Sequence, residues 1–229
     1  MNFVLIPGSG GKAWYWHRLV PYLRERRHEV IAVDLPAADE SAGLVKYRDT
    51  IIDSIGKRSH LVVVAQSMGA FSAPLVCDRV PVQLLVLVNA MVPTPGETMS
   101  EWFSNPALQR ERAKLATRMG WTNPDFDVER DFFHDVPPDV KAEAFAAGEP
   151  AQAEKPFTEP WPLREWPDVP TRVVQARDDR FFPIEFQRRI VRERLGLQLE
   201  EVPGGHLVAL SRPGQLAAKL ESYLELSGG

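Results

Sequence analysis

Ser67 sits in a five-residue pattern, Ala65-Gln66-Ser67-Met68-Gly69, in which the residues two before and two after the serine carry almost no side chain. Residues 61–65 before it form a short unbroken apolar run rich in β-branched residues, which predicts a strand buried on both faces, and the pattern after it turns helical. A strand-to-helix turn this sharp strains its central residue, and only small neighbours let the two elements approach so closely. Ser67 is thereby presented as a nucleophile at a strand's C-terminal end, with the Met68 N–H and the positive end of the helix dipole aimed at any oxyanion formed there. The plainer reading of such a serine is a helix N-cap; the flanking strand and helix favour the nucleophile.

A serine hydroxyl needs a base, and the base needs a group to orient it. Of the five histidines, His206 is the one that leaves a strand's C-terminal end, through the flexible turn Val202-Pro203-Gly204-Gly205. His28 and His60 fall at the other edge of the sheet, and His17 and His134 do not follow strands. The orienting acid should come from a loop after another strand. Asn89 follows one but has no carboxylate; Asp178-Asp179 follows the strand expected at 171–176, so one of that pair is the candidate. Nucleophile, acid and histidine then occur in the order that accompanies this turn.

The elements that must position these groups alternate. Strands are expected at 3–6, 29–34, 61–65, 84–88, 171–176 and 198–202, with helices at 14–27, 44–55, after the serine, 184–195 and 214–226. That alternation predicts an α/β fold, a mostly parallel sheet flanked by helices, whose functional groups gather at the C-terminal edge. Between residues 93 and 167 the alternation stops, and prolines and aromatics accumulate around helical stretches at 107–119 and 139–147. The expected organisation is therefore a core of residues 1–92 and 168–229 with a helical cap, 93–167, inserted between two strands. Cap aromatics turned toward the serine would give a narrow apolar cleft, and Trp14, Trp16, Met91, Phe133 and Trp161 are its candidate lining.

With 229 residues, 44% hydrophobic and 25% charged, the chain can bury one sizeable core. A net charge of -4 offers no basic footprint for nucleic acid or an anionic membrane, and the arginine-rich stretches at 24–27 and 188–194 read as solvated helix faces. The single cysteine, Cys77, rules out an intrachain disulfide and suits a small apolar packing role. The expected partner is a small-molecule substrate. No cofactor or metal is implied, because the histidines lack zinc-binding spacing, and neither a signal-length nor a membrane-length apolar run is present, so a cytoplasmic location is expected.

The four segments VLIPGSGGKAWYW, AQSMGA, ARDDRFFP and GGHLVALSRP resemble the oxyanion loop, elbow, acid loop and histidine loop of α/β-hydrolases, in particular the small methylesterase and hydroxynitrile-lyase-like members. The resemblance runs over nearly the whole chain. It implies an acid motif G-x-x-D-x-x-x-P, which laid on residues 176–183 selects Asp179, and oxyanion donors at the backbone N–H groups of Ser9 and Met68. The implied activity is hydrolysis of ester-type bonds through an acyl-enzyme. Carbon–carbon cleavage, lactone opening, cofactor-free lyase chemistry and ligand binding without turnover share the same fold. Leu207 stands where the lyases carry a lysine after the histidine, which argues against lyase chemistry. Pro7, Gln66 and Ala176 replace residues usual in the family, and none of the three removes a reacting group.

Overall fold

The computed structural model describes residues 1–123 and 125–226. Six strands, β1 (Asn2–Ile6), β2 (Glu29–Ala32), β3 (Leu61–Gln66), β4 (Val82–Val88), β5 (Thr171–Ala176) and β6 (Glu200–Val202), form one sheet in the order β2-β1-β3-β4-β5-β6. Every pairing is parallel, so all six strands end at the same edge. The helices among the described residues are α1 (Val20–Glu25), α2 (Leu44–Ile55), α3 (Ala73–Cys77), α4 (Met99–Phe103), α5 (Pro106–Met119), α6 (Val128–Asp131), α7 (Pro138–Ala147), α8 (Lys155–Thr158), α9 (Ile184–Leu195), α10 (Val208–Ser211) and α11 (Pro213–Leu226). None of them is long and apolar enough to cross a membrane.

The two-residue period of the strands splits the core into two layers. Val63, Ala65, Ile6, Leu85 and Leu87 face one hydrophobic cluster, while Val62, Val64, Leu5, Val86 and Val88 face the other. All six residues of β3 are buried, as a central parallel strand covered on both faces requires. Helix α2 runs over the stretch expected to be helical, 44–55, burying Leu44, Tyr47, Ile51 and Ile55, and stops at Gly56 with φ 60°.

Proline accounts for two departures from the sequence-based expectations. The helix expected at 14–27 is a 3-10 turn, Ala13–Trp16, followed by the short α1, because Pro21 has no N–H to continue a ladder from the preceding turn. After the serine the chain makes a 3-10 turn, Ser67–Phe71, and α3 begins only with Pro74 in its first turn. Strand β2 also ends two residues early. Asp34, beyond it, accepts a hydrogen bond from Ala13 N–H (2.9 Å) and so braces the turn that follows β1.

The five helices α4–α8 lie between β4 and β5, and their segment bonds repeatedly to loops at the sheet's C-terminal edge. Gln152 accepts from Gly10 N–H (2.9 Å) after β1, Ala153 N–H donates to Ala37 O (2.7 Å) after β2, and Trp161 Nε1–H donates to Phe71 O (3.1 Å) after β3. Arg112 completes the set after β5: its Nη1–H donates to Phe181 O (2.9 Å), with the guanidinium 5.1 Å from the Phe181 ring centroid.

Candidate active site

Ser67 follows β3 directly and has φ 52°, a left-handed conformation that a non-glycine residue adopts only under constraint. The constraint is local packing. A Cβ on Gly69 would stand 2.6 Å from the backbone oxygen of Pro7 and 3.2 Å from Ile6 Cγ2, so only glycine lets the turn settle against β1. On the other side Met91 N–H donates to Ser67 O (3.0 Å), tying the turn to the loop after β4. Met68 opens the 3-10 turn directly after the serine, and Ser9 occupies the exposed turn between Gly8 and Gly10.

His206 and Asp179 arrive from the ends of β6 and β5. The Nδ1 of His206 lies 2.9 Å from Asp179 Oδ2, and its Nε2 lies 3.3 Å from Ser67 Oγ. A carboxylate only accepts, so Nδ1 carries the proton and Nε2 turns its lone pair toward the serine. All three residues are buried, Ser67 being 7% exposed. Asp179 is held on both oxygens: Oδ2 also accepts from Gln175 Nε2–H (3.1 Å), and Oδ1 accepts from the backbone N–H groups of Phe181 (2.8 Å) and Phe182 (3.0 Å). Asp178, its neighbour, is exposed; its N–H donates to Gly204 O (2.9 Å), and among the described residues its carboxylate accepts only from Gly204 N–H, at 3.3 Å.

A family model described as the alpha/beta hydrolase family matches residues 3–219. The chain belongs to that family. Among its relatives, methyl jasmonate esterase 1 of Vitis vinifera is 25% identical over 252 aligned residues, covering 98% of this chain and 97% of the relative. Polyneuridine aldehyde esterase of Rauvolfia serpentina is 24% identical over 248, covering 94% and 92%. Among solved structures, a pyrethroid hydrolase from Sphingobium faniae JZ-2 superposes with a TM-score of 0.77 at 21% identity, covering 98% of this chain and 97% of the other; at that identity the likeness speaks for the fold.

Around the His206 imidazole this alpha/beta hydrolase gathers three phenylalanines. Phe132 stacks on the His206 imidazole at 4.8 Å with 14° between the planes, while Phe181 and Phe182 approach it edge-on at 5.1 and 5.0 Å. The four aromatics and one methionine singled out from the sequence are divided between the two core layers. Met91 and Trp161 lie in one, Trp16 in the other with Trp14 and Phe133 packed against it; Trp16 and Trp161 are fully buried. Trp14 donates through Nε1–H to Glu143 (2.8 Å), and Phe133 meets Phe145 edge-to-face. A cavity of about 470 Å³ touches Asp179, but its lining includes Arg118, Arg177, Asp178, Arg180 and Glu185 and does not reach Ser67.

Two carboxamides converge on the same histidine. Asn89, wholly buried with φ 45°, donates through Nδ2 to Gly205 O (3.1 Å) and His206 O (2.9 Å), and its Oδ1 accepts from Ala176 N–H (2.7 Å). It thereby stitches the ends of β4 and β5 to the histidine loop. Gln66 sits 3.2 Å from His206 Nε2. Neither residue was singled out for a role in the sequence, although both stand at C-terminal ends of central strands, where functional groups of such sheets collect. Cys77 is half-buried, and burial pushes its thiol up to about 12, which leaves it protonated and unreactive near neutral pH.

Proposed function

We propose that this chain is a serine hydrolase that cleaves small, mostly apolar ester-type substrates through an acyl-enzyme, with Ser67, His206 and Asp179 as its catalytic residues. The observation that carries the reading is the continuous run from Ser67 Oγ to His206 Nε2 (3.3 Å) and from Nδ1 to Asp179 Oδ2 (2.9 Å) beneath a positive-φ serine. Esterase relatives spanning nearly the whole chain support the same chemistry.

Ser67 Oγ attacks the ester carbonyl as His206 Nε2 takes its proton, and the developing oxyanion is received by the N–H groups of Ser9 and Met68. Collapse breaks the bond to the alcohol, whose oxygen leaves with the proton from His206. Water, deprotonated by the same Nε2, then attacks the acyl-enzyme and releases the acid with Ser67 restored. Asp179 stays ionised throughout and stabilises the imidazolium.

Residues 93–167 act in this reading as a cap over a core of 1–92 and 168–229, supported by their bonds to loops after β1, β2, β3 and β5. Phe132 and Phe181, beside His206, and Met91, bonded to the Ser67 carbonyl, supply the apolar wall. Burying an aryl or alkyl group there contributes about 25 cal/mol per Å², whereas an unpaired charge would have to be desolvated. The test is turnover of matched neutral and charged esters by the wild type and Ser67→Ala. The alanine variant should fold normally and lose several decades, up to about 10⁶ where the three residues act as a unit. Retention of more than about a tenth of the activity refutes the nucleophile; equal or better kcat/KM for the charged esters refutes the apolar wall.

A further inference from the structure

Gln66 ends β3 immediately before the nucleophile and is buried at 3% exposure. Its side-chain nitrogen stands 3.2 Å from His206 Nε2, with a weaker 3.5 Å contact to the His206 carbonyl. With Nδ1–H committed to Asp179, the imidazole has a single lone pair at Nε2, and two donors face it: the Ser67 hydroxyl at 3.3 Å and the Gln66 amide at 3.2 Å. Once the serine proton crosses to Nε2, that nitrogen becomes a donor. An amide N–H fixed in front of it would then oppose it.

A carboxamide can remove this conflict by turning over and presenting Oε1. The surroundings leave that motion open. The Oε1 of Gln66 lies against Gly8, where a Cβ would overlap it and would also come within 2.9 Å of Ser67 Cβ. Among the described residues no donor holds Oε1, so the turn breaks only the bonds that Nε2 makes. We propose that Gln66 is a catalytic residue of this site: its carboxamide donates to His206 Nε2 in the resting enzyme and accepts from it through Oε1 while His206 carries the Ser67 proton.

The role rests on the serine-hydrolase reading above. The proton passes from Ser67 Oγ to His206 Nε2 and then to the leaving alkoxide; Gln66 gains and loses none. Its contribution is to exchange one polar contact for another as the ring changes charge, so that the imidazolium is not left facing a donor in a site lined by Phe132, Phe181 and Phe182.

The experiment compares Gln66→Met, which keeps length but has no strong donor or acceptor, with Gln66→Glu, which only accepts. For Gln66→Met, kcat should fall about ten- to a hundredfold, the effect of losing one hydrogen bond to a charged group, with KM and melting temperature near wild type. For Gln66→Glu, a carboxylate beside Nε2 favours the imidazolium, so the acid limb of kcat/KM should move to higher pH by about one unit or more. Unchanged kcat in the methionine variant, or an unmoved limb in the glutamate variant, overturns the role of Gln66 while leaving the hydrolase reading intact. So does a parallel fall of kcat and melting temperature in both, which marks packing alone. Turnover that survives Ser67→Ala overturns both.

Discussion

Replacing Asp179 by asparagine tests the orienting acid, and the outcome can be worked out from its four hydrogen bonds. Oδ1 faces the backbone N–H groups of Phe181 and Phe182, which cannot reverse, whereas Oδ2 faces His206 Nδ1 and the amide of Gln175. Gln175 can turn over, because its own Oε1 makes no hydrogen bond among the described residues. The new NH₂ should therefore take the Oδ2 position and donate to Nδ1. That forces the ring proton onto Nε2, the tautomer that cannot accept from Ser67. The expected loss in kcat is about 10⁴, or about 5.4 kcal/mol at 1.36 kcal/mol per decade. Turning Gln175 also gives up its donation to Phe182 O (3.1 Å), a cost in stability of about 1 kcal/mol, so Asp179→Asn should still fold. Asp178→Asn, exposed and with one long contact to Gly204, should stay within about tenfold of wild type. Steady-state kinetics on one neutral ester, with thermal melts of all three proteins, decides the matter. If Asp178→Asn proves the more damaging, or Asp179→Asn loses less than about tenfold, the assignment of the orienting acid fails.

Asn89→Ala should lower both stability and kcat, since it strands the carbonyl of Gly205 and the N–H of Ala176 in a buried site and leaves the His206 carbonyl only the 3.5 Å contact from Gln66. At about 1 kcal/mol or more for each, the melting temperature should drop by roughly 6 °C or more, and a melt within a degree of wild type would contradict this. Gly69→Ala should express poorly or melt well below wild type, because its Cβ meets the Pro7 carbonyl, a backbone atom that cannot move aside; a wild-type melt would show that the turn has more room than 2.6 Å. His134 is held below the ordinary histidine range, first by burial and then by Arg180, against the opposing pull of Asp135 and Asp179. The unfolded chain therefore binds the proton first as the pH falls through about 6.5, so the contribution of His134 is present above that value and is lost below it. His134→Gln should flatten the decline in melting temperature between about pH 7 and pH 5, modestly because the ring is only half-buried; equal slopes in both proteins would rule this out.

What could be read along the chain was whatever local chemistry dictates. The short unbroken apolar runs located the strands, the small residues around Ser67 announced its strained turn, and α2 and α9 occupy the stretches 44–55 and 184–195 that were expected to be helical. Pro21 and Pro74 were equally visible, and weighing their missing N–H groups would have divided the helices drawn through them. The candidate nucleophile and base were legible for the same reason: each follows a strand's C-terminal end, and parallel pairing brings all such ends to one edge. Between Asp178 and Asp179, by contrast, the strand-and-loop reading left the choice open, and only the resemblance to the family's acid motif pointed to Asp179. Their separation is decided by the turn after β5, where the amides of Phe181 and Phe182 draw one carboxylate inward and leave the other in solvent. Phe132 and Phe133 are likewise adjacent, yet the first stacks on His206 and the second packs toward Phe145. Gln66 and Asn89 meet His206 across 140 and 117 residues of chain. Such contacts carry no local period, because they are settled only when loops from four separate strands close over one another, and so they belong to the tertiary structure alone.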